Sequence, residues 1–183
     1  MRNLNIYIQE GLKVNSKSKI RKYNYFPKTK TELIKLINEL IQERGNSADL
    51  NDIDTFKITD MSNLFYNSNF NCDISNWDVS NVTNMMNMFA NSKFNGDISK
   101  WDVSNVEDMY QMFFGSQFNG DISEWDVSNV NDMYCMFTDS QFNSDISKWN
   151  PKNCYDMRHI FKRCPLEKNP PKWYRGINIK IKI

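Results

Sequence analysis

The sequence predicts an α/β repeat solenoid, with one short strand and one short helix in each 24-residue unit and a helical cap at the N-terminus. The first observation behind this prediction is a fixed tryptophan spacing. All five tryptophans lie 24 residues apart, at Trp77, Trp101, Trp125, Trp149 and Trp173. The second observation is that methionine and phenylalanine residues also recur every 24 residues. Self-similarity at such a period is typical of stacked repeats.

The period divides the chain into three predicted parts. These are a basic N-terminal arm and capping helix (1–48), a five-unit array (49–173) and a C-terminal capping strand (174–183). From Thr31 to Arg44 the apolar residues share one face and Gly45 follows, which predicts an amphipathic helix. The closing INIKIKI alternates apolar and polar residues, which predicts an edge strand protected by its lysines.

Each unit reads FNxDISxWDVSNVxxMxxMFxxSx. Four apolar residues of the third unit recur at i, i+3, i+6 and i+7, the spacing of one helix face: Val106, Met109, Met112 and Phe113. Ser104 and Glu107 have the spacing of a capping box at the start of that helix. Trp101 and Val103 alternate with polar residues, as in a short strand. The sequence therefore predicts a strand, a turn and a helix in each unit.

Such a unit cannot bury its own apolar face. Stacking would turn the Trp, Ile, Met and Phe positions into continuous ladders, so we expect them to form the core and not a ligand site. Gly96 and Gly120 suit a left-handed turn position.

Charge is distributed unevenly along the chain. Residues 50–149 hold 4 Lys/Arg against 15 Asp/Glu, giving −11, whereas 1–49 carry +5 and 150–183 carry +7. The acidic middle would repel phosphate, so direct nucleic-acid binding is not expected there. The basic ends are either solvated or contacts for RNA, DNA or an acidic protein.

Several classes of site and location lack their sequence signals. No window approaches the ~18 apolar residues of a membrane span, and the N-terminus lacks an apolar leader segment. We therefore expect a cytoplasmic chain that does not enter a membrane. The four cysteines have no C-x-x-C spacing and His159 is the single histidine, so we expect free thiols and no metal site or cofactor.

The repeat D-I-S-x-W-D-V-S-N-V-x-x-M-x-x-M-F resembles that of the BspA-like leucine-rich-repeat surface proteins and mycoplasma-type lipoproteins. The resemblance implies a leucine-rich-repeat-like solenoid that binds other macromolecules, often in adhesion. The segment YNYFPKTKTELIKLI is similar to the openings of repeat proteins in bacteriophage genomes. This similarity implies a phage-encoded member that acts in the host cytoplasm.

The positions that vary between repeats are the ones expected to contact a binding partner, because the constant positions form the core. One column holds Met86, Tyr110, Tyr134 and Arg158, and Phe114 lies one helical turn from Tyr110. Aromatic, Met and Arg side chains are enriched in interface hot spots. The sequence therefore predicts a partner-binding patch on an outer helical face, the alternative being that these rings only cover neighbouring helices.

An aspartate follows each central tryptophan, at Asp78, Asp102 and Asp126. Three roles are open: an acidic strip that attracts a basic partner, a calcium site, or carboxylates that bond to amides in turns.

Catalysis lacks support, since the chain has neither a Gly-rich phosphate loop nor a G-x-S-x-G or H-E-x-x-H motif. We therefore expect a non-catalytic protein–protein interaction module. One form is a phage or intracellular inhibitor that occludes a host protein, such as a defence enzyme with a basic nucleic-acid-binding channel. The alternative is a structural or adhesion protein of a virion or cell surface. The sequence leaves the oligomeric state open.

Overall fold

A computed structural model describes residues 23–174, and these residues form a stack of turn-rich 24-residue units. The regular elements in that range are helix α1, Lys30–Arg44, and one turn of 3-10 helix, Pro165–Glu167. Neighbouring units meet through isolated parallel bridges and not through strands. The predicted leucine-rich-repeat-like α/β solenoid, with one strand and one helix in each unit, is therefore wrong.

Tight turns explain the apolar spacing that suggested a helix. The amide of Val106 bonds to the Val103 oxygen at 2.9 Å, and the amide of Met112 bonds to the Met109 oxygen at 3.2 Å. Each such turn brings the third residue back to the core. Between them Gln111 has φ of 51°, a left-handed conformation that a right-handed helix cannot include. Successive turns thus produce the period that we assigned to a helix.

The predicted helix cap is an aspartate turn. Asp102 Oδ1 accepts a hydrogen bond from the Ser104 amide at 3.1 Å and another from the Ser104 hydroxyl at 2.6 Å. The amide of Glu107 donates to the Thr83 oxygen in the preceding unit, at 2.8 Å. The capping box and the strand around Trp101 are both wrong, because local carboxylate bonding sets a turn there instead.

Alternate amides in the second half of each unit bond along the stack. The amides of Met85, Asn87, Phe89 and Asn91 donate to oxygens 23 residues later, at 2.6 to 2.9 Å. Two positions in each unit are left-handed, and each forms a column at 24-residue spacing. The first column is Asn63, Asn87, Gln111, Cys135 and His159, and the second is Asn67, Asn91, Gly115, Asp139 and Arg163. These columns direct backbone donors toward the next unit.

Aromatic ladders fill the core. Phe89, Phe113 and Phe137 stack with centroids 5.6 and 5.7 Å apart and ring planes within 5° of parallel. All three side chains are completely buried. Each tryptophan also donates its indole N–H to an oxygen 27 residues earlier, as Trp101 does to Ile74 at 3.3 Å. Burial confirms the prediction that the repeated Trp, Ile, Met and Phe positions form the core.

Two glycines play a different role from the predicted one. Gly96 and Gly120 do not have a left-handed backbone; a Cβ at Gly96 would lie 2.9 Å from the Phe94 ring. A side chain at Gly96 would therefore crowd the Phe94 ring, although Cys72 and Ser144 occupy the equivalent position in other units. Gly115 is the repeat glycine with a left-handed backbone, at φ of 61°.

The N-terminal end of the stack is covered by α1 and by the residues before it. Thr29 Oγ1 accepts from the Glu32 amide at 3.2 Å, and Gly45, with φ of 87°, ends the helix. α1 starts one residue before the predicted Thr31. Tyr25 bridges to Ile53 in parallel. The predicted C-terminal strand lies outside the described residues, apart from Tyr174, whose amide donates to the Pro171 oxygen at 2.9 Å and closes a turn.

Within residues 23–174, no helix has both the length and the apolar character required to cross a bilayer.

Candidate functional site

The four residues of the predicted outer column lie together, although no helix carries them. We call Met86, Tyr110, Tyr134 and Arg158 the tyrosine column. Each follows a bridge residue by two positions, and that residue fixes its backbone. The amide of Tyr110 donates to Asp108 Oδ1 at 2.8 Å, and the amide of Tyr134 donates to Asp132 Oδ1 at 2.7 Å. Repetition of one turn thus aligns the side chains.

Three side chains of the tyrosine column contact one another in order: Tyr110, Tyr134 and Arg158. The rings of Tyr110 and Tyr134 stack with centroids 5.3 Å apart and planes 13° from parallel. The guanidinium of Arg158 lies over the Tyr134 ring at 5.3 Å. Arg158 also donates to both carboxylate oxygens of Asp156, with Nη2 to Oδ2 at 2.5 Å. The result is an ordered strip that ends in a paired cation.

The tyrosine column is partly open to solvent. Met86, Tyr110 and Tyr134 are half-buried, and Arg158 is exposed. One unit before Met86, the same position is the buried Ser62, which Lys30 of α1 contacts at 2.5 Å. The accessible part of the column therefore spans four units, from Met86 to Arg158.

Phe114 belongs to the adjacent column and is half-buried. Its neighbours in that column, Ala90 and Thr138, are buried, so Phe114 is not part of a continuous aromatic strip. Two units before Phe114, Tyr66 occupies the same column with 52% of its surface exposed. Sequence reasoning missed Tyr66, although the 24-residue step identifies its column.

The three predicted aspartates have a structural role. Asp78, Asp102 and Asp126 each accept the amide of the serine two residues later, at 2.9 to 3.1 Å. Bonds from the Ser128 hydroxyl and amide lower the pKa of Asp126. Within residues 23–174, none of the three shares a hydrogen bond, ion pair or ring contact with the tyrosine column. The same range holds no group of three or more His, Cys, Asp or Glu placed to hold a metal ion.

A second acidic row went unnoticed in the sequence. We call it the bridge ladder, because parallel bridges join its members in order: Asp60, Asn84, Asp108, Asp132 and Asp156. Burial and then the charges of Asp108 and Asp156 raise the pKa of Asp132, whereas the bond from Arg158 lowers the pKa of Asp156. In the part of the chain that the structure describes, Asp108 and Asp132 form no ion pair, whereas Asp60 pairs with Lys30 and Asp156 pairs with Arg158 at the ends of the ladder.

Comparisons with known proteins return a family without an assigned activity. A family model described as a Mycoplasma protein of unknown function, DUF285, matches residues 35–117 and again residues 94–174. The two matches overlap and together span well over half of the chain. No curated protein and no solved structure matches. These findings give no support to a phage-encoded origin.

Proposed function

The chain belongs to the DUF285 family of Mycoplasma proteins of unknown function, and from that premise we propose that it is a non-catalytic module that binds a protein partner through the tyrosine column. The supporting observation is the stack of Tyr110 on Tyr134 with Arg158 above it. Tyr and Arg dominate interface hot spots, since they combine apolar area with a polar tip.

Preorganisation strengthens this proposal. Neighbouring rings and the Asp156 carboxylate already hold the side chains of the column in place. Ordering a free side chain at an interface costs about 0.5–1.5 kcal/mol, and this column avoids much of that cost. Phe114 adds apolar area beside the column, and Tyr66 is a further exposed ring outside it.

The acidic middle of the chain supports a basic partner. Residues 50–149 carry a net charge of −11, and Asp78, Asp102 and Asp126 contribute to that field. Attraction between an acidic surface and a basic partner increases the association rate and favours that partner over others. Within the proposal, the partner is a cytoplasmic protein with a basic nucleic-acid-binding channel, which this BspA-like chain occludes without a cofactor. A phage-encoded origin is not required for that role.

The first experiment is a quantitative capture from cell extract with the immobilised full chain. Proteins that bind through the column should be retained at least ~10-fold less by the Tyr110→Ala/Tyr134→Ala variant, since hot-spot truncation costs about 2 kcal/mol or more. The matched control is Phe56→Ala, which removes a ring that is 54% exposed outside the column.

The second experiment measures affinity for the captured protein by titration. Binding that weakens as salt increases, and that RNA or DNA competes with, would support occlusion of a basic channel. The column is the wrong site if every captured protein binds the double variant and Phe56→Ala equally well.

A further inference from the structure

The chain contains one hexapeptide twice, FNGDIS at residues 94–99 and again at residues 118–123. Each copy places an asparagine, Asn95 or Asn119, directly before a glycine. Both asparagines are exposed, and both lie in a segment that is neither helix nor strand. The local sequence therefore gives the two asparagines the same intrinsic reactivity, and a difference between them must come from the surrounding fold.

An asparagine followed by glycine can lose ammonia without an enzyme. The amide nitrogen of the glycine loses its proton and attacks the side-chain Cγ of the asparagine. A bond forms between these two atoms, the Cγ–Nδ2 bond breaks, and ammonia leaves with the proton. Water then opens the resulting five-membered imide at one of its two carbonyls, giving aspartate or isoaspartate. Glycine favours the ring closure, because it has no Cβ and adopts most backbone conformations.

The attacking nitrogen is free of hydrogen bonds at both sites. Neither the Gly96 amide nor the Gly120 amide donates to any atom of residues 23–174. By contrast, the amides of the asparagines join neighbouring units, as that of Asn119 does by donating to Asn95 Oδ1 at 2.8 Å. The glycine nitrogens can therefore react without first breaking a hydrogen bond between units.

The two asparagine side chains differ in the hydrogen bonds that they accept within the described residues. Asn119 Oδ1 accepts from the Asn143 amide at 2.7 Å and from the Ser144 hydroxyl at 3.3 Å. Asn95 Oδ1 accepts from the Asn119 amide alone, at 2.8 Å. One unit before Ser144 the equivalent residue is Gly120, which has no hydroxyl. The side-chain oxygen of Asn119 therefore has one more donor than that of Asn95.

Both donors assist the attack on Asn119. Negative charge develops on Oδ1 as the glycine nitrogen bonds to Cγ, and donors directed at that oxygen stabilise the charge. The Ser144 hydroxyl also donates to the backbone oxygen of Asn119, at 2.9 Å. That oxygen belongs to the peptide group whose nitrogen is the nucleophile, so this hydrogen bond makes the proton of the nitrogen easier to remove.

We propose that Asn119 is a site of spontaneous deamidation in the folded protein, and that Ser144 makes it react faster than Asn95. The product carries a carboxylate in place of a neutral amide, so the net charge of the chain falls from +1 to 0. An aspartate at this position still accepts the Asn143 amide. An isoaspartate instead puts an additional atom into the backbone and shifts the register between units.

The test is peptide mapping by mass spectrometry of the full chain, incubated at neutral pH either folded or in concentrated urea. We expect Asn119 to deamidate about two- to tenfold faster than Asn95 in the folded chain, which is the effect of one hydrogen bond. In urea the two rates should be equal, because the hexapeptides are identical. Asn143 precedes serine and not glycine, so it is the slow reference in both conditions.

Ser144→Ala removes the hydroxyl and should lower the folded rate at Asn119 to that at Asn95. The rate at Asn95 should stay the same, which reports that the variant is folded. Ser147→Ala is the matched control, because it makes the same substitution at an exposed serine of the same unit. It should leave both rates unchanged.

A folded rate at Asn119 that equals or falls below the rate at Asn95 would overturn the proposal. So would an Asn119 that stays unmodified in the folded chain and reacts in urea, because the fold would then protect the site. A Ser144→Ala variant that keeps the fast rate would assign the difference to another group, which also overturns it. All of these measurements leave the tyrosine column intact, so this proposal and the proposed function fail separately.

Discussion

The indole Nε1 of Trp125 donates a hydrogen bond to the backbone oxygen of Ile98, 3.1 Å away and 27 residues earlier in the chain. Trp125 is 4% exposed, so this hydrogen bond is buried in the core. Each inner unit is fastened to the previous one by the same bond, which combines apolar burial with polar pairing.

Replacing Trp125 by Phe should lower the free energy of unfolding by about 2–4 kcal/mol. The Ile98 oxygen would remain buried without a donor, and the smaller ring would leave a cavity. Urea denaturation measures the loss. Trp173→Phe is the matched control: Trp173 makes the same bond while half-buried at the end of the stack, so its loss should be about 1 kcal/mol. Equal losses would refute the role of burial.

Gln111→Asn should stabilise the protein by about 1 kcal/mol. Gln111 has a left-handed backbone, which Asn tolerates better. In the same column the side-chain Nδ2 of Asn87 donates to Asn63 Oδ1 at 3.1 Å, while Asn87 Oδ1 is buried and has no hydrogen-bond partner within residues 23–174. An asparagine at 111 would place a donor next to that oxygen. Thermal and urea unfolding measure the gain. In an Asn87→Ala background we expect a smaller gain, because the backbone preference remains and the side-chain hydrogen bond cannot form.

Asp132→Asn should raise the free energy of unfolding at pH 7 by about 0.5–1 kcal/mol. The pKa of Asp132 is raised by burial and by two flanking carboxylates, so the fold favours the protonated form. The gain should vanish well below pH 3.8, the ordinary value, where Asp132 is protonated in both states. Asp156→Asn should instead lower the free energy of unfolding at pH 7, because Arg158 loses its ion-pair partner.

Cys154→Val should remove part of the stability loss at alkaline pH. Burial raises the pKa of the Cys154 thiol from 9.0 to about 12. The fold favours the neutral thiol, so its contribution is complete below pH 9.0 and is lost as the pH rises toward the folded value. Valine occupies this column at Val82, Val106 and Val130. Urea midpoints at pH 8 and pH 11, compared between variant and parent, measure the difference.

Thiol labelling checks the same residue independently. A pKa of about 12 leaves about a thousandfold less thiolate than the ordinary value at a given pH. We therefore expect Cys154 to react with a thiol reagent only after unfolding. Rapid labelling of Cys154 in the folded protein would contradict its burial.

The sequence was sufficient to predict the core, because one spacing repeated over five units marks the same buried positions each time. Phe113 and Trp125 are buried where their period placed them. α1 was predictable for a similar reason, because an apolar face and a glycine stop are local signals; the cap at Thr29, which starts the helix at Lys30, was not predicted.

The conformation within each unit was not predictable from those signals. Turns that close every third residue and helices both bring Met109 and Met112 to one side, so the apolar spacing does not distinguish them. The left-handed backbone at Gln111 distinguishes the turns from a helix. A glutamine in the sequence does not indicate that conformation, because it rarely adopts it. The predicted alignment of Tyr110 with Tyr134 was nevertheless correct, because it depends on the 24-residue step and not on the wrongly predicted helix.

The 27-residue reach of each indole also constrains how such a chain can lengthen. Adding or removing one whole unit, such as residues 94–117, gives every Trp and Phe a partner equivalent to the one that it had before; without those residues, the Ile74 oxygen would replace the Ile98 oxygen as the acceptor for Trp125. Inserting or deleting a single residue within a unit would break the 24-residue step. The bonds between that unit and its neighbour would then be out of register. Gene duplication in steps of 24 codons is thus the tolerated route of size variation, and each step would add or delete one position of the tyrosine column.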